Sequence, residues 1–312
     1  MQFNSLIIDT NEFYKRAFYV MCKQNQKESS NIIINKTVQL TFSMILKLKK
    51  EYLLEDGTIY VLADNPVSKA TIRKNLDSTY KLNRDRESDG YYRGIDYLLM
   101  LGNYYSTQFK TIRITHLEAD DLVPEILNLC TGSTLLCSSD LDWSRCMSEN
   151  VFWYNHDTVH TQDTFQKKYK FRPTEKTVTL YKTLLGDKSD NIPCINNFTE
   201  QMALNLVYNF DDIFEVLDCI KKNNSKAYLM SDYTKRLILT NEKRLITNHN
   251  LVYFSECSSF EIKQALIDGS FNSRALYILY KSLDFPPNFD SRVEDHTMSF
   301  GDIFNFEEIN RK

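Results

Sequence analysis

The segment THLEADDLVPEIL, residues 115–127, carries three carboxylates within four positions. They are Glu118, Asp120 and Asp121, and apolar residues flank them on both sides. Like charges this close repel one another, and partial burial raises the cost of keeping them ionised. Divalent cations hold such a group together, because Mg²⁺ and Mn²⁺ prefer oxygen ligands. The segment therefore indicates a metal site.

Further acids follow other apolar runs of the chain. SLII, TIYVLA and TLLCSS each end at an aspartate, and two more aspartates stand in the turn-like segment GDKSDN. A pair of Mg²⁺ ions ~3.5–4 Å apart is the standard device for in-line cleavage of phosphodiesters. The acids therefore predict a two-metal site in which Mn²⁺ substitutes for Mg²⁺. The candidate ligands are Asp9, Asp64, Glu118, Asp120, Asp121, Asp140, Asp142, Asp187 and Asp190.

The apolar runs before these acids have the length and composition of buried parallel strands. Helical stretches, such as 37–54 and 94–109, lie between them. This alternation predicts an α/β fold with a central, mainly parallel sheet flanked by helices. The carboxyl ends of parallel strands form the ligand crevice, so the acids should converge there. The predicted strands cover 5–8, 58–63, 111–115, 134–139 and 151–155.

Pro124 predicts where the helix after EADD begins. Proline is tolerated in the first turn of a helix, where its missing N–H is not needed. We therefore expect this helix to begin near residues 119–121, which places the acids at its positive end.

The character of the chain changes near residue 174. Residues 1–173 are predicted to form the α/β domain. Residues 174–287 are predicted to be mostly helical, with amphipathic segments at 200–220 and 231–248. Residues 288–312 form an acidic and aromatic tail, which is either loosely ordered or a docking segment.

The composition places the chain in the class of ordinary globular proteins. Seven cysteines without a paired spacing indicate free thiols in a reducing compartment, so we expect a cytoplasmic protein. The sequence predicts no signal peptide and no membrane span, and we expect a monomer. The net charge of −3 includes nine candidate ligands, so the rest of the chain is net positive and compatible with a phosphate-binding surface.

Basic residues cluster at 69–93, directly after Asp64. Tyrosines are interleaved with them, and such a mixture can hold phosphates and stack on unpaired bases. Alone, the segment would more often be a solvated helix. Beside an acid cluster we favour nucleic-acid binding. The basic residues are Lys69, Arg73, Lys74, Lys81, Arg84, Arg86 and Arg93.

Taken in order, five motifs resemble those of the 5′-nuclease or flap endonuclease superfamily. The similarity spans residues 5 to about 250 and is greatest to the T-even-type phage 5′→3′ exonucleases, known as phage RNase H. It implies a PIN-like 5′-nuclease fold, a helical arch near 66–95 and a helix-three-turn-helix DNA-binding element within 174–287. It also implies two Mg²⁺ ions and action on flapped or branched DNA and on RNA–DNA duplexes in replication and repair. The motifs are IDT (8–10), LADN (62–65), EADD (118–121), SSDLD (138–142) and GDKSDNIP (186–193).

The resemblance also implies roles for single residues. The nine acids match metal ligands that bind directly or through water. YKLNR (80–84) is similar to the arch element Tyr-Lys-x-Asn-Arg, so Lys81 is expected to reach the transition-state phosphate. Arg16, Arg73 and Arg84 are expected to support it. The expected nucleic-acid contacts are Lys69, Lys74, Tyr80, Arg86, Arg93, Lys182 and Lys188.

Two motifs depart from the family pattern. Thr10 stands where the family usually has glycine, and CINNFTEQMA replaces the glycine-rich hairpin that follows Asn-Ile-Pro. In the family, those glycines let backbone N–H groups approach a phosphate and a bound K⁺ ion. Their absence from this chain disfavours a K⁺ site. The tail at 288–312 is a candidate docking segment for a single-strand-binding protein or a sliding clamp.

Two other readings remain. The chain could be a catalytically silent scaffold that binds DNA forks, although the full set of acids disfavours this. It could also be a PIN-type ribonuclease, which shares an acid-lined sheet. The basic segment 69–93 and GDKSDNIP favour the 5′ nuclease over that ribonuclease.

Overall fold

The computed structural model describes residues 1–65, 72–83, 88–287 and 289–293. Its strands form one sheet in the order β6-β5-β4-β1-β2-β3-β7. The strands are β1 (Phe3–Asp9), β2 (Leu53–Leu62), β3 (Phe109–Ile112), β4 (Thr134–Cys137), β5 (Val151–Asn155), β6 (Thr158–His160) and β7 (Ile267–Asp268). The helices are α1 (Thr10–Gln24), α2 (Ser30–Tyr52), α3 (Ile72–Leu76), α4 (Asp89–Tyr105), α5 (Ala119–Leu127), α6 (Gln162–Tyr169), α7 (Glu175–Leu185), α8 (Glu200–Val207), α9 (Ile213–Lys222), α10 (Asp232–Thr240), α11 (Glu242–Val252), α12 (Ser259–Ala265) and α13 (Ser273–Ser282).

The five strands β1 to β5 run parallel, and β6 and β7 pair antiparallel at the two edges. The central strand β1 lies between β2 and β4, with Asp9 opposite Leu62 and Ile8 opposite Cys137. The carboxyl ends of these three strands therefore meet at one edge of the sheet. The predicted α/β class with a mainly parallel sheet is confirmed.

Apolar side chains fill both faces of the sheet. Along β1, Ile7 faces one core, while Leu6 and Ile8 face the other. This burial on both faces explains why the strand is an unbroken apolar run. Burying one such side chain contributes about 1.5–3 kcal/mol. The two cores fix the strands, and the strands fix the positions of the acids that follow them.

The chain after residue 174 is mostly helical, but it also completes the sheet. In β7, Ile267 pairs with Thr111 of β3. Helix α13 packs its buried Leu276 and Leu279 into the core that contains β1, α2 and α4. The C-terminal part of the chain therefore contributes to the same core as the N-terminal part.

The two long amphipathic segments predicted in this part of the chain each form two helices in the structure. Residues 200–220 divide into α8 and α9, and the Asp212 side chain caps α9 by accepting from the Glu215 N–H. Residues 231–248 divide into α10 and α11 at Asn241. The apolar period continues across both breaks, so periodicity alone did not reveal them.

Helix α5 begins at Ala119, which confirms the predicted start, but the reason given for it was wrong. Pro124 lies inside the helix, beyond its first turn. Proline has no N–H for the carbonyl four residues earlier, so it weakens the helix there. The helix ends at Leu127, and Glu118 caps its beginning.

All seven cysteines lie among the described residues, and no two of them form a disulfide, which agrees with the prediction from their spacing. Among the described helices, none is both long and apolar enough to cross a membrane. The described part of the tail packs on the body of the protein, because Phe289 and Val293 contact the core and Arg292 lies 4.2 Å from the ring centre of Tyr105. The remaining tail, together with Lys69, Arg84 and Arg86, lies outside the described residues.

Candidate active site

The ends of β1 and β2 each deliver one acid. Asp9 is the last residue of β1 and caps α1, accepting from the Glu12 N–H at 3.0 Å and from the Ser138 hydroxyl at 2.7 Å. Asp64 follows β2 and accepts from the Ala119 N–H at the start of α5 at 2.7 Å. Backbone donors at helix starts thus hold both carboxylates at the same edge of the sheet.

Two overlapping groups of carboxylates complete this edge. Asp120, Asp140 and Asp142 have oxygen atoms within 4.8 Å of one another, and so do Asp142, Asp187 and Asp190. Asp142 belongs to both groups. We call these five residues, together with Asp9 and Asp64, the acid pit. The structure therefore brings together seven of the nine predicted ligands.

The GDKSDN loop returns two acids to the pit through a tight turn. Asp187 and Ile192 exchange backbone hydrogen bonds of 2.8 Å in both directions. Gly186 ends α7 with φ +70°, and a Cβ there would lie 2.5 Å from the Ile192 carbonyl oxygen. Only glycine fits this conformation and this contact. The motif is therefore needed to place Asp187 and Asp190.

The first half of the pit carries unbalanced negative charge. Burial, followed by the charge of Asp64, raises the pKa of Asp9 to about 8. Burial and the neighbouring acids raise the pKa of Asp120 well above its ordinary value, and burial and Asp142 raise the pKa of Asp140. In the described part of the chain, no salt bridge reaches Asp9 or Asp120.

In the second half of the pit, two buried cations balance the negative charge of Asp142 and Asp187. Burial opposes ionisation of Asp142, but Arg145 and Lys182 outweigh it and lower its pKa. The Lys182 ammonium lies 2.6 Å from Asp142 and 2.7 Å from Asp187. The Arg145 guanidinium lies 2.6 Å from Asp142 and donates to the Val252 carbonyl at 2.7 Å. Sequence reasoning missed Arg145, since no motif links it to α11.

The donor set fits hard divalent cations. Every group in the pit is a carboxylate, and Mg²⁺ and Mn²⁺ prefer such oxygen ligands. Burial and repulsion between neighbouring carboxylates raise the pKa values of Asp9, Asp120 and Asp140, so these groups are costly to ionise in the absence of a cation. A bound cation would remove that cost. We conclude that the pit is a divalent-metal site.

Asp121 and Arg73 form a two-pronged ion pair beside the pit, which we call the lock. Asp121 was predicted to be a metal ligand and Arg73 a phosphate contact, and the pairing corrects both roles. Asp121 accepts from two Arg73 nitrogens at 2.6 and 2.9 Å and from the backbone N–H groups of Glu118 and Ser255. Its acceptor sites are used, so it is not placed to ligate a metal. The five Arg73 donors are used too, on Asp121, Glu118 and the carbonyls of Leu251 and Tyr253. Arg73 is therefore not placed to contact a phosphate.

Tyr80 and Lys182 are likewise not placed to contact nucleic acid. Tyr80 is 2% exposed, and its hydroxyl lies 3.1 Å from Glu118 and 2.9 Å from Asp190. Lys182 is 5% exposed, because the carboxylates described above surround its ammonium group. Both residues were predicted as nucleic-acid contacts, and both instead hold acids of the site.

Glu118 and Lys81 lie at the rim of the pit. Burial acts to raise the pKa of Glu118, but the charges of Lys81 and Arg73 lower it to about 2. The Lys81 ammonium is 2.9 Å from Glu118 and 3.8 Å from Asp190. Glu118 is therefore ionised, with Lys81 next to it. It lies beside the pit and belongs to neither of the two carboxylate groups described above.

The pit opens into a cleft of about 990 Å³, whose lining includes Lys15, Lys81, Lys188 and Tyr19. Lys15 was missed by sequence reasoning, which chose its neighbour Arg16. Arg16 instead lies beside Glu12 at 3.6 Å, next to the cleft lining.

Two predicted contacts lie outside the cleft lining. Arg93 is exposed on α4, where it donates to Asn31 at 3.0 Å. Lys74 is half-buried on α3.

A family model described as the 5′-3′ exonuclease, N-terminal resolvase-like domain matches residues 4–170. The chain belongs to the 5′-3′ exonuclease family. It is a nuclease that hydrolyses phosphodiester bonds, and the two groups of carboxylates are compatible with two-metal catalysis.

Members of this family that resemble the chain come from bacteria and phages. A 5′-3′ exonuclease of Buchnera aphidicola is 24% identical over 287 residues, covering 89% of this chain and 96% of the relative. A flap endonuclease of Escherichia phage T5 is 23% identical over 163 residues, covering 50% of this chain and 55% of the relative.

Solved structures of the phage T5 protein share the fold of this chain. One, crystallised with metal ions, superposes with a TM-score of 0.63 at 19% identity and covers 90% of this chain and 97% of its own. Another, a flap endonuclease complex with DNA and metal ions, has a TM-score of 0.62 at 19% identity with the same coverage.

Proposed function

We propose that the chain is a Mg²⁺-dependent, structure-specific 5′ nuclease. Its substrates are flapped or branched DNA and RNA–DNA duplexes, and its task is primer removal during replication and repair. The observation that carries this proposal is the partly buried acid pit at the floor of an open cleft, with Lys81 at its rim. The flap endonuclease and DNA complex among the similar proteins support it.

Lys81 has the geometry of a preorganised positive charge. Its backbone is in the left-handed region, with φ 54°, and its N–H donates to the Asp190 carbonyl at 2.9 Å. The residue is thus fixed to the GDKSDN loop, and its ammonium lines the cleft. A fixed charge aimed at the scissile phosphate stabilises the transition state without reorganisation. We assign this contact to Lys81.

Other cations are suited to hold the phosphates on either side. Lys15 on α1 and Lys188 in the GDKSDN loop are exposed, and both line the cleft. They lie on different elements, so both would contact phosphates of a nucleic-acid strand that crosses the pit. Arg16, Lys74 and Arg93 lie outside this lining and remain predicted contacts. Lys69, Arg84 and Arg86, in segments that the structure does not describe, also remain predicted contacts.

Seven residues would hold the metal ions, namely the members of the acid pit. When bound, two Mg²⁺ or Mn²⁺ ions would supply a nucleophilic hydroxide and stabilise the attacking and leaving oxygens. The chain itself orients the carboxylates through helix caps and the Gly186 turn. It buries Asp9, Asp142 and Asp190, while the other four members of the pit are partly exposed to the cleft. A K⁺ ion at CINNFTEQMA, residues 194–203, is not part of this proposal, because the glycines that would let the backbone approach it are missing.

The double variant Asp140→Asn with Asp142→Asn tests this proposal. We expect it to bind a 5′-flapped duplex as tightly as wild type but to cut it no faster than buffer. Asp163→Asn, at an exposed acid of α6, is the matched control and should keep full activity. Continued Mg²⁺-dependent cutting by the double variant would contradict the proposal.

The same assay, carried out with different substrates, distinguishes the proposed nuclease from the two alternative functions. Flap binding by wild type without turnover in Mg²⁺ or Mn²⁺ would favour a silent fork-binding scaffold. Faster cleavage of single-stranded RNA than of forked DNA would favour a PIN-type ribonuclease.

We also propose that the protein acts as a monomer in the cytoplasm and that its tail docks a single-strand-binding protein or a sliding clamp. Residues 289–293 pack on the core, so the variant that tests docking removes only 294–312. We expect unchanged cleavage of naked DNA and reduced cleavage in the presence of the partner. Loss of activity on naked DNA would instead show that the tail is structural.

A further inference from the structure

Trp143 makes a direct contact with the acid pit from the hydrophobic core. It follows Asp142 in a 3₁₀ helix, Leu141–Cys146, and it is fully buried. Its indole Nε1–H donates to Oδ1 of Asp120 at 2.5 Å. The ring itself packs in the core that contains Leu122, Val123 and Leu136. A rigid aromatic side chain therefore ends in a hydrogen bond to one oxygen of a predicted metal ligand.

This donor differs in kind from the charged partners of the pit. Indole is neutral and can only donate, so it supports the ionised carboxylate without adding a positive charge. The ammonium of Lys182 and the guanidinium of Arg145 instead neutralise Asp142. A neutral donor fixes the carboxylate and leaves its charge available to a cation. This is the arrangement expected of a group that orients a metal ligand.

The hydrogen bond also restricts the direction in which Asp120 faces. Oδ1 is held by Trp143, while Asp120 has an oxygen atom within 4.8 Å of oxygen atoms from both Asp140 and Asp142. Trp143 and Asp142 are consecutive in the chain. One short turn therefore positions Asp142 directly and Asp120 through the Trp143 hydrogen bond. Packing locks the indole ring, since it has no exposed surface.

We propose that Trp143 is a positioning residue that fixes the Asp120 carboxylate for a divalent cation, and that its indole reports occupation of this site. This inference rests on the metal-dependent function proposed above. Residues that orient metal ligands typically change metal affinity by about 10–100-fold when they are mutated. An indole bonded directly to a ligand should change its fluorescence when the ligand binds a cation.

The chain contains a matched control, because it has only two tryptophans. Trp153 is also fully buried and lies in the same core, but its Nε1 has no hydrogen-bond partner among the described residues. Trp143→Phe and Trp153→Phe therefore remove similar apolar volume. Only the first removes a hydrogen bond to the pit. Each variant also leaves the other residue as the sole tryptophan, whose emission can be excited selectively over that of the tyrosines.

The first test is Mn²⁺ and Mg²⁺ binding by calorimetry, without substrate. We expect Trp143→Phe to weaken binding by about 10–100-fold and Trp153→Phe to leave it unchanged. Equal affinity of Trp143→Phe and wild type would overturn the positioning role. Absence of binding by wild type would instead refute the metal-dependent function itself, so the two failures are distinguishable.

The second test does not require Trp143→Phe to fold. In Trp153→Phe, Trp143 is the sole tryptophan, and we expect a saturable emission change whose Kd equals the calorimetric value. A Trp143 emission that does not respond to saturating Mg²⁺ would refute the proposal. If Trp143→Phe is folded, its remaining Trp153 emission should not respond to the cation.

Discussion

Lys182 places a positive charge inside the acid pit, and replacing it tests how the protein balances this charge. The ammonium lies 2.6 Å from Asp142 and 2.7 Å from Asp187, and the side chain is 6% exposed. Lys182→Met keeps much of the apolar stem and removes the charge. The two carboxylates then lose a buried partner, which makes the metal-free protein less stable.

The size of the effect follows from the contacts that remain. Removing one partner of a buried ion pair costs about 3–5 kcal/mol. Asp142 keeps Arg145 at 2.6 Å, so the low end applies, about 3 kcal/mol. At about 2 °C per kcal/mol for a chain of this size, Tm in EDTA should fall by about 6 °C. Saturating Mg²⁺ should restore about half of this loss, because carboxylates freed of Lys182 should bind the cation about tenfold more tightly than in wild type, which contributes about 1.4 kcal/mol.

Thermal melting in EDTA and in Mg²⁺ measures both quantities. Lys176→Met is the matched control, because this lysine lies on the same helix and pairs with Asp211 at 2.6 Å but is exposed. Water and salt screen an exposed pair, so its loss should have little effect on Tm in either condition. If Lys182→Met lowers Tm equally with and without Mg²⁺, the carboxylates that lose Lys182 do not bind a cation in its place, and our account of the pit is wrong.

Three further predictions concern neighbouring groups. Because the pKa of Asp9 is raised from 3.8 to about 8, the folded metal-free protein binds more protons than the unfolded chain between these values, and its stability should fall as pH rises from about 5 to about 8 and level off above that. Melts in EDTA should show this fall and melts in Mg²⁺ should not; a flat EDTA profile would contradict it. Lys81→Ala should lower single-turnover cleavage by ~10²-fold with a much smaller loss of stability, and an unchanged rate would remove Lys81 from the chemistry. Arg73→Lys keeps the charge but loses the two-pronged contact with Asp121, so urea unfolding should show a loss of about 1.5–3 kcal/mol; a loss under 0.5 kcal/mol would show that the lock is unimportant.

Much of the pit was predictable, because its signal is local in sequence. Asp9, Asp64 and Asp140 each stand just past an apolar run, and the runs become parallel strands. The order of the strands did not need to be known, because any parallel sheet brings these ends to one edge. The GDKSDN turn was recognisable for the same reason, since its glycine and acids are adjacent.

The partners of the acids were not predictable in this way. Arg73 bonds to Leu251 and Arg145 bonds to Val252, across 178 and 107 residues respectively. Charge pattern alone made Arg73 and Lys182 resemble surface contacts, since a buried cation and an exposed one look the same in sequence. Their burial depends on α7 and α11 packing beside the sheet, and no local period carries that information.

The strand β7 shows a similar limit. It has two residues, Ile267 and Asp268, which is too short for an alternating pattern. It forms because the Gly269 N–H donates to the Phe109 carbonyl at 2.7 Å and the chain then turns toward α13. The sheet therefore gains an edge strand from a region that composition marks as helical.

The central claim is that the acid pit holds divalent cations and uses them to cut a phosphodiester near a 5′ junction. The most direct measurement is single-turnover cleavage of a 5′-labelled flapped duplex in Mg²⁺ and in EDTA, by wild type and by Asp120→Asn. We predict cutting near the junction by wild type in Mg²⁺, and none in EDTA or by the variant. Cutting that persists in EDTA, or tight binding by wild type without cutting in Mg²⁺ or Mn²⁺, would contradict the claim.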